Sequence, residues 1–143
     1  MTINNILCPT DFSDMANRAI SYAAEMALKY DATLHLVSVI NEIHGFDSFQ
    51  VLAITPRDIH EHMLKITQEK LDELTSDIRP SIPLHTAVLE GHPSTEITRA
   101  AAEFDCDMIV IASHGRTGLE HILIGSVAES VTRHSHCPVL IVK

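Results

Sequence analysis

Tryptophan is absent from this chain of 143 residues, and only 4% of them are aromatic. The core must therefore be assembled from Ile, Leu, Val, Ala and Met. Cysteine is nearly as scarce. Cys8, Cys106 and Cys137 lie far apart with no CxxC pair, which excludes a disulfide framework and a structural zinc motif. An odd, dispersed set fits buried free thiols in a reducing cytoplasm. Positive charge is short too, with 10 Lys and Arg against 19 Asp and Glu and a net charge of −9. The basic residues are scattered, so there is no stripe to meet a phosphate backbone, and nucleic acid is not an expected partner. Long apolar runs are missing as well. Stretches such as Met108–Ala112 have the length of a strand, far from the roughly 20 residues of a membrane span. The opening MTINNILCPTD carries neither a basic nor a long apolar stretch, so it does not read as a secretory signal.

What is present is an alternation of strand-like and helix-like segments. Ile3–Cys8 is an apolar run that ends at the turn-like Pro9-Thr10-Asp11. Ser13 is placed to cap a helix whose inner face is Ile20, Ala23, Ala24, Ala27 and Leu28, with Asp31-Ala32 ending it. Thr33–Ile40 is a second strand. Residues 41–55 show no period and read as a loop or lid, in which Phe46 and Phe49 could cover a ligand or meet a partner. From Pro56 to about Ile78 runs an amphipathic helix with Ile59, Met63, Ile66 and Leu74 inward, stopped by Pro80 and Pro83. Leu84–Leu89 is a third strand, and Gly91-His92-Pro93 opens a third helix with proline in its first turn. Asp107–Ile111 is a fourth strand. A last helix spans Ser126 to about His134, and Pro138–Val142 closes the chain.

The order βαβαβαβαβ, with apolar runs that do not alternate, predicts strands buried on both faces of a parallel sheet. Right-handed crossovers then make an open, doubly wound α/β sheet with helices on both sides, in one domain spanning residues 1–143.

Glycine is the informative scarcity. The chain has five, and three fall in ASHGRTGLEHILIGSV, residues 112–127. In open parallel sheets ligands bind beyond the carboxyl ends of the strands, where strand order reverses. The glycine loop leaves the fourth strand there, as Pro9-Thr10-Asp11 leaves the first. Gly125-Ser126 opens a helix whose free N–H groups and dipole favour an anion. An equally physical reading is that Ser126-x-x-Glu129 is a capping box and that Gly115 and Gly118 serve tight turns. Neither the GxxxxGK[ST] loop nor a GxGxxG after the first strand is present. Spacing alone leaves both readings standing.

The ILCPTDFS opening, the VSVI second strand, the GHPSTEI start of the third helix and the run from ASHGRTG through GSVAESVTRHSHCPVLIVK together resemble the universal stress protein family over essentially the whole length. The ATP-binding branch of that family carries G-x2-G-x9-G-[S/T] in its last segment. Gly115, nine intervening residues, Gly125 and Ser126 match it, with Ala112 in place of the first glycine. The resemblance implies a five-stranded sheet in order 3-2-1-4-5 and a nucleotide site. Pro9, Thr10 and Asp11 would flank the nucleoside, Val39 would meet the base through its backbone, and Ala112, Gly115, Gly125, Ser126 and Val127 would surround the phosphates. His114 and Arg116 lie in the same loop. ATP is the expected cofactor, with Mg²⁺ or Mn²⁺ on its phosphates. The family also implies a homodimer through the last strand, Pro138–Val142. The alternatives are a nucleotide-free protein working through its dimer and partner surfaces, and a slow ATP hydrolase or autophosphorylating protein.

Ten histidines invite a metal. His60-x-His62 points to different helix faces, and His134-x-His136-Cys137 suits the carboxyl end of a helix dipole, so no metal site is expected. No catalytic residue is assigned: Ser13, Ser113 and Ser126 have no His/Asp constellation and there is no GxSxG elbow.

Overall fold

The computed structural model describes residues 2–41, 55–76, 78, 81–115 and 124–143, and within them each apolar run becomes a parallel strand. In chain order these are β1 (Asn5–Pro9), α1 (Asp14–Tyr30), β2 (Thr33–Ile40), α2 (Pro56–Thr75), β3 (Leu84–Glu90), α3 (Pro93–Glu103), β4 (Met108–Ala112), α4 (Ser126–His134) and β5 (Val139–Val142). The strands form one sheet in the order β3-β2-β1-β4-β5, so β1 and β4 meet where the order reverses. Residues 42–54, most of the expected loop, lie outside the described residues, as do Arg116 and Gly118. Among the described residues no helix is long and apolar enough to cross a membrane.

Period-two alternation sends successive strand residues to opposite layers. Ile6 and Cys8 join Ala19, Ile20, Ala23 and Ala27 of α1 and Leu71 of α2 in one buried cluster. Leu7 points the other way, to Ile97, Ala100 and Ala101 of α3 and Ala128 and Val131 of α4. The small face of α1 lets that helix lie close over the sheet. Ser13 caps it as expected, its Oγ accepting from the Ala16 N–H at 3.2 Å. Thr55 and Asp58 close a capping box at the start of α2. Burial pushes the Cys8 thiol up to about 12, and burial with a smaller contribution from neighbouring Cys137 does the same to Cys106, so neither is a thiolate at neutral pH.

Some expectations need correction. Leu28 is 62% exposed and Ile66 37%, so neither belongs to the inner face of its helix. Both sit at the rim of an apolar stripe, where the 100° step between residues makes a wide stripe hard to delimit. Helix α2 ends at Thr75, before the expected Ile78. The first and fourth strands begin and end later than expected, and β3 is only half-buried because it is a sheet edge.

At the amino ends of the strands His35 pairs in register with His85 and stacks on both His85 and Phe104, with its Nε2 3.1 Å from Asn5 Oδ1. Burial, then the proximity of His85, holds the His35 pKa below its ordinary value. A base whose folded pKa is depressed takes up its proton more readily when unfolded. Its contribution to stability is therefore complete above about pH 6.5 and is lost as pH falls from there toward the depressed value. Urea unfolding at pH 7.5 and 5.5 should show the midpoint falling at the lower pH, and the fall should be smaller in His35→Gln. An equal fall in both proteins would remove His35 as the cause.

Candidate functional site

A cleft of about 380 Å³ opens at the carboxyl ends of β1, β2 and β4. It contains ten of the eleven residues singled out from the sequence. Pro9, Thr10 and Asp11 come from the end of β1 and its loop, and Val39 from β2. Ala112, His114 and Gly115 come from the end of β4, and Gly125, Ser126 and Val127 from the start of α4. The eleventh, Arg116, lies outside the described residues. The cleft also takes in residues not anticipated: Ala16 of α1, Asn41 after β2, Pro93 and Ile97 of α3, Ile111 and Ser113 of the β4 end, and Ala128 of α4. Asn41 directly follows the second strand, and Pro93 and Ile97 lie within the GHPSTEI stretch noted above, yet nothing local indicates that α3 forms one wall.

The β1–α1 loop is held tightly. The Phe12 N–H donates to Thr10 Oγ1 at 3.0 Å and the Ser13 N–H donates to Asp11 Oδ1 at 3.0 Å. Phe12 itself is left-handed at φ 64°, a costly setting for a bulky side chain. Its ring packs against the α1-side core, and Lys70 Nζ stands 5.6 Å above it.

Across the cleft, the glycines are not there for unusual backbone angles. Gly91 is the described glycine with a positive φ; Gly115 and Gly125 have none. Space is the reason. A Cβ on Gly125 would stand 3.1 Å from the Ser113 carbonyl oxygen, to which the Gly125 N–H donates at 2.7 Å. A Cβ on Gly115 would overlap Asp11 Oδ2.

Gly125, and not Ser126, is the N-cap of α4, and among the described residues no side chain caps that helix. The capping-box alternative for Ser126 therefore fails. Ser126 is the first helical residue, and Glu129 instead pairs with Arg133 at 2.8 Å. The intrahelical ladder begins with the Glu129 N–H on the Gly125 carbonyl, so the first-turn N–H groups of Ser126, Val127 and Ala128 precede it, at the cleft. By contrast, Ser13 and Thr55 close the first turns of α1 and α2. Ala112 counts among the buried residues of the α1-side core, so its methyl adds packing at the cleft floor. Ser113 Oγ lies 3.0 Å from His114 Nδ1 but is only 1% exposed, so the pair orients the ring without presenting a nucleophile. Among the described residues no three His, Cys, Asp or Glu side chains converge as a metal site, and His60 pairs with Glu90 at 3.3 Å.

The description "Universal stress protein family" belongs to the family model that matches residues 2–143. Universal stress protein MJ0531 of Methanocaldococcus jannaschii is 34% identical over 143 aligned residues, covering 96% of this chain and 81% of that protein. The solved structure of MJ0577 from the same organism superposes with a TM-score of 0.87 at 28% identity, over 100% of this chain and 97% of that one. The universal stress protein of Archaeoglobus fulgidus, solved in complex with dAMP, gives 0.69 at 26% identity, with each chain covered in full at 100%.

Proposed function

As this chain belongs to the universal stress protein family, we propose that it binds ATP in the switch-point cleft and works as a nucleotide-dependent signalling module of the stress response. The observation that carries this reading is the start of α4: a helix with no side-chain cap among the described residues, whose first turn faces the cleft, next to glycines that leave room for the Ser113 carbonyl and the Asp11 carboxylate. The dAMP held by the Archaeoglobus relative supports an adenine nucleotide as the ligand class. Thr10, Asp11 and Pro9 stand at one side for the nucleoside, with Val39 at the base. Ala112, Gly125, Ser126 and Val127 stand at the other for the phosphates, with His114, Gly115 and Arg116 in the same loop. With no converging carboxylate cage among the described residues, Mg²⁺ or Mn²⁺ would take its ligands from phosphate oxygens and water. Its contribution would be to offset phosphate charge in an acidic protein. Three free thiols suit a cytoplasmic setting.

The test is calorimetric titration of MgATP into nucleotide-stripped protein. Micromolar binding is expected. No heat, and no competition by ADP or AMP, would sink the reading in favour of a nucleotide-free interaction protein.

The same reading includes a homodimer through β5, an edge strand. The Ile109 N–H donates to the Pro138 carbonyl at 2.9 Å and the Ser113 N–H to the Val142 carbonyl at 2.7 Å. In a parallel ladder this turns the main-chain groups of Val139 and Ile141 off the edge, beside Leu140, which is 37% exposed. An apolar, unguarded edge is suited to antiparallel pairing with a second copy about a two-fold axis. Sedimentation should give a dimer for the wild type and a monomer for Leu140→Asp, with unchanged circular dichroism. A wild-type monomer at tens of micromolar, an ordinary working range for weak association, would overturn it.

A further inference from the structure

The two close-approach glycines of the cleft do different work. Gly125 is spacing within its own loop, since the atom a Cβ would crowd is the Ser113 carbonyl oxygen. Gly115 is different, because what fills its Cβ position comes from the β1–α1 loop, more than 100 residues away in sequence: the carboxylate of Asp11, with Cγ at 3.5 Å and Oδ2 closer still. We infer that Gly115 is a positioning residue acting through Asp11: it is glycine so that the Asp11 carboxylate can lie against it, and it serves the nucleoside end of the ligand and not the phosphates. This deepens the nucleotide reading and rests on it.

Three observations fix the direction of the carboxylate. Its Oδ1 is engaged by the Ser13 N–H, and its Oδ2 is turned toward Gly115. The preceding turn is tied by Thr10 Oγ1 on the Phe12 N–H. Phe12 sits at a left-handed φ with its partly buried ring packed against the core, so the loop has little freedom to yield. A methyl at position 115 would therefore be accommodated by swinging the end of the Asp11 side chain, a small structural change with a specific consequence. No backbone reason for glycine competes, because the φ of Gly115 is not positive.

The test is a double-mutant cycle on Gly115→Ala and Asp11→Ala, titrated with MgATP, adenosine and inorganic tripolyphosphate. Gly115→Ala is expected to leave the unfolding midpoint nearly unchanged and to shift the carboxyl carbon resonance of Asp11. It should lose roughly tenfold in affinity for ATP and adenosine, the scale of a hydrogen bond to a charged group. Tripolyphosphate binding should hold, and in the Asp11→Ala background the added methyl should cost nothing further. Three results would overturn the assignment: the same cost in both backgrounds, a loss of tripolyphosphate binding, or an Asp11 resonance that does not move. If the wild type binds no nucleotide, the proposed function falls, and the Asp11 resonance alone decides whether the contact exists.

Discussion

Replacing Ser126 with Asp should abolish nucleotide binding at micromolar concentration while leaving the protein as stable as before, or slightly more so. Ser126 is exposed and is the first residue of α4, so a carboxylate there is neither buried nor deprived of water. At a first helical turn a negative charge is favourable, by about 0.3–1 kcal/mol, because it complements the helix dipole. The same charge competes for the place a phosphate would take. Two unit charges about 4 Å apart at an effective dielectric of 20 repel by about 4 kcal/mol, which corresponds to a loss on the order of 1,000-fold. The opposing signs make the experiment informative. Calorimetry on the variant should show no heat with MgATP, and its thermal midpoint should not fall. Ser126→Ala is the control: it removes the hydroxyl alone and should retain most of the affinity. If Ser126→Asp binds ATP as tightly as the wild type, the phosphates do not lie at the start of α4.

The largest stability effect is expected at the centre of the sheet. Leu7 is fully buried in β1, paired in register with His35 on one side and Ile109 on the other, and packed into the α3/α4 layer. Strands fixed on both edges cannot collapse into a void, so Leu7→Ala should leave much of the cavity open. The cost is about 2–5 kcal/mol, the range for such truncations in well-packed cores. That is a large share of a domain's usual stability of about 5–15 kcal/mol. Urea unfolding should show a lower midpoint with an unchanged slope, meaning lost stability without a change in the surface exposed. A change below about 1 kcal/mol would mean that neighbouring side chains close the gap, contrary to the packing described.

Much of this molecule is written in short stretches of sequence. Runs such as Leu34–Ile40 and Met108–Ala112 are too apolar and too short for anything but buried strands, and Ser13 and Pro93 mark helix starts by chemistry that acts over one turn. Those signals are local, so element order and the parallel sheet could be read directly. The strand order and the grouping of the cleft residues came from resemblance to a family, and the structure places ten of those eleven residues together.

Tertiary structure decided what depends on distance in space. Gly115 is glycine because of Asp11, and Gly125 because of the Ser113 carbonyl; neither partner can be named from local spacing. Ser126 could have been a cap or the first helical residue, a difference of one position that only the path of the chain into α4 resolves. Pro93 and Ile97 reach the cleft because α3 crosses beside β2, and Leu28 faces solvent at the rim of α1. The division has one physical origin. Periodicity and capping are interactions among residues a turn apart, whereas a cleft at a switch point is made by loops brought together only when the sheet closes its hydrogen bonds.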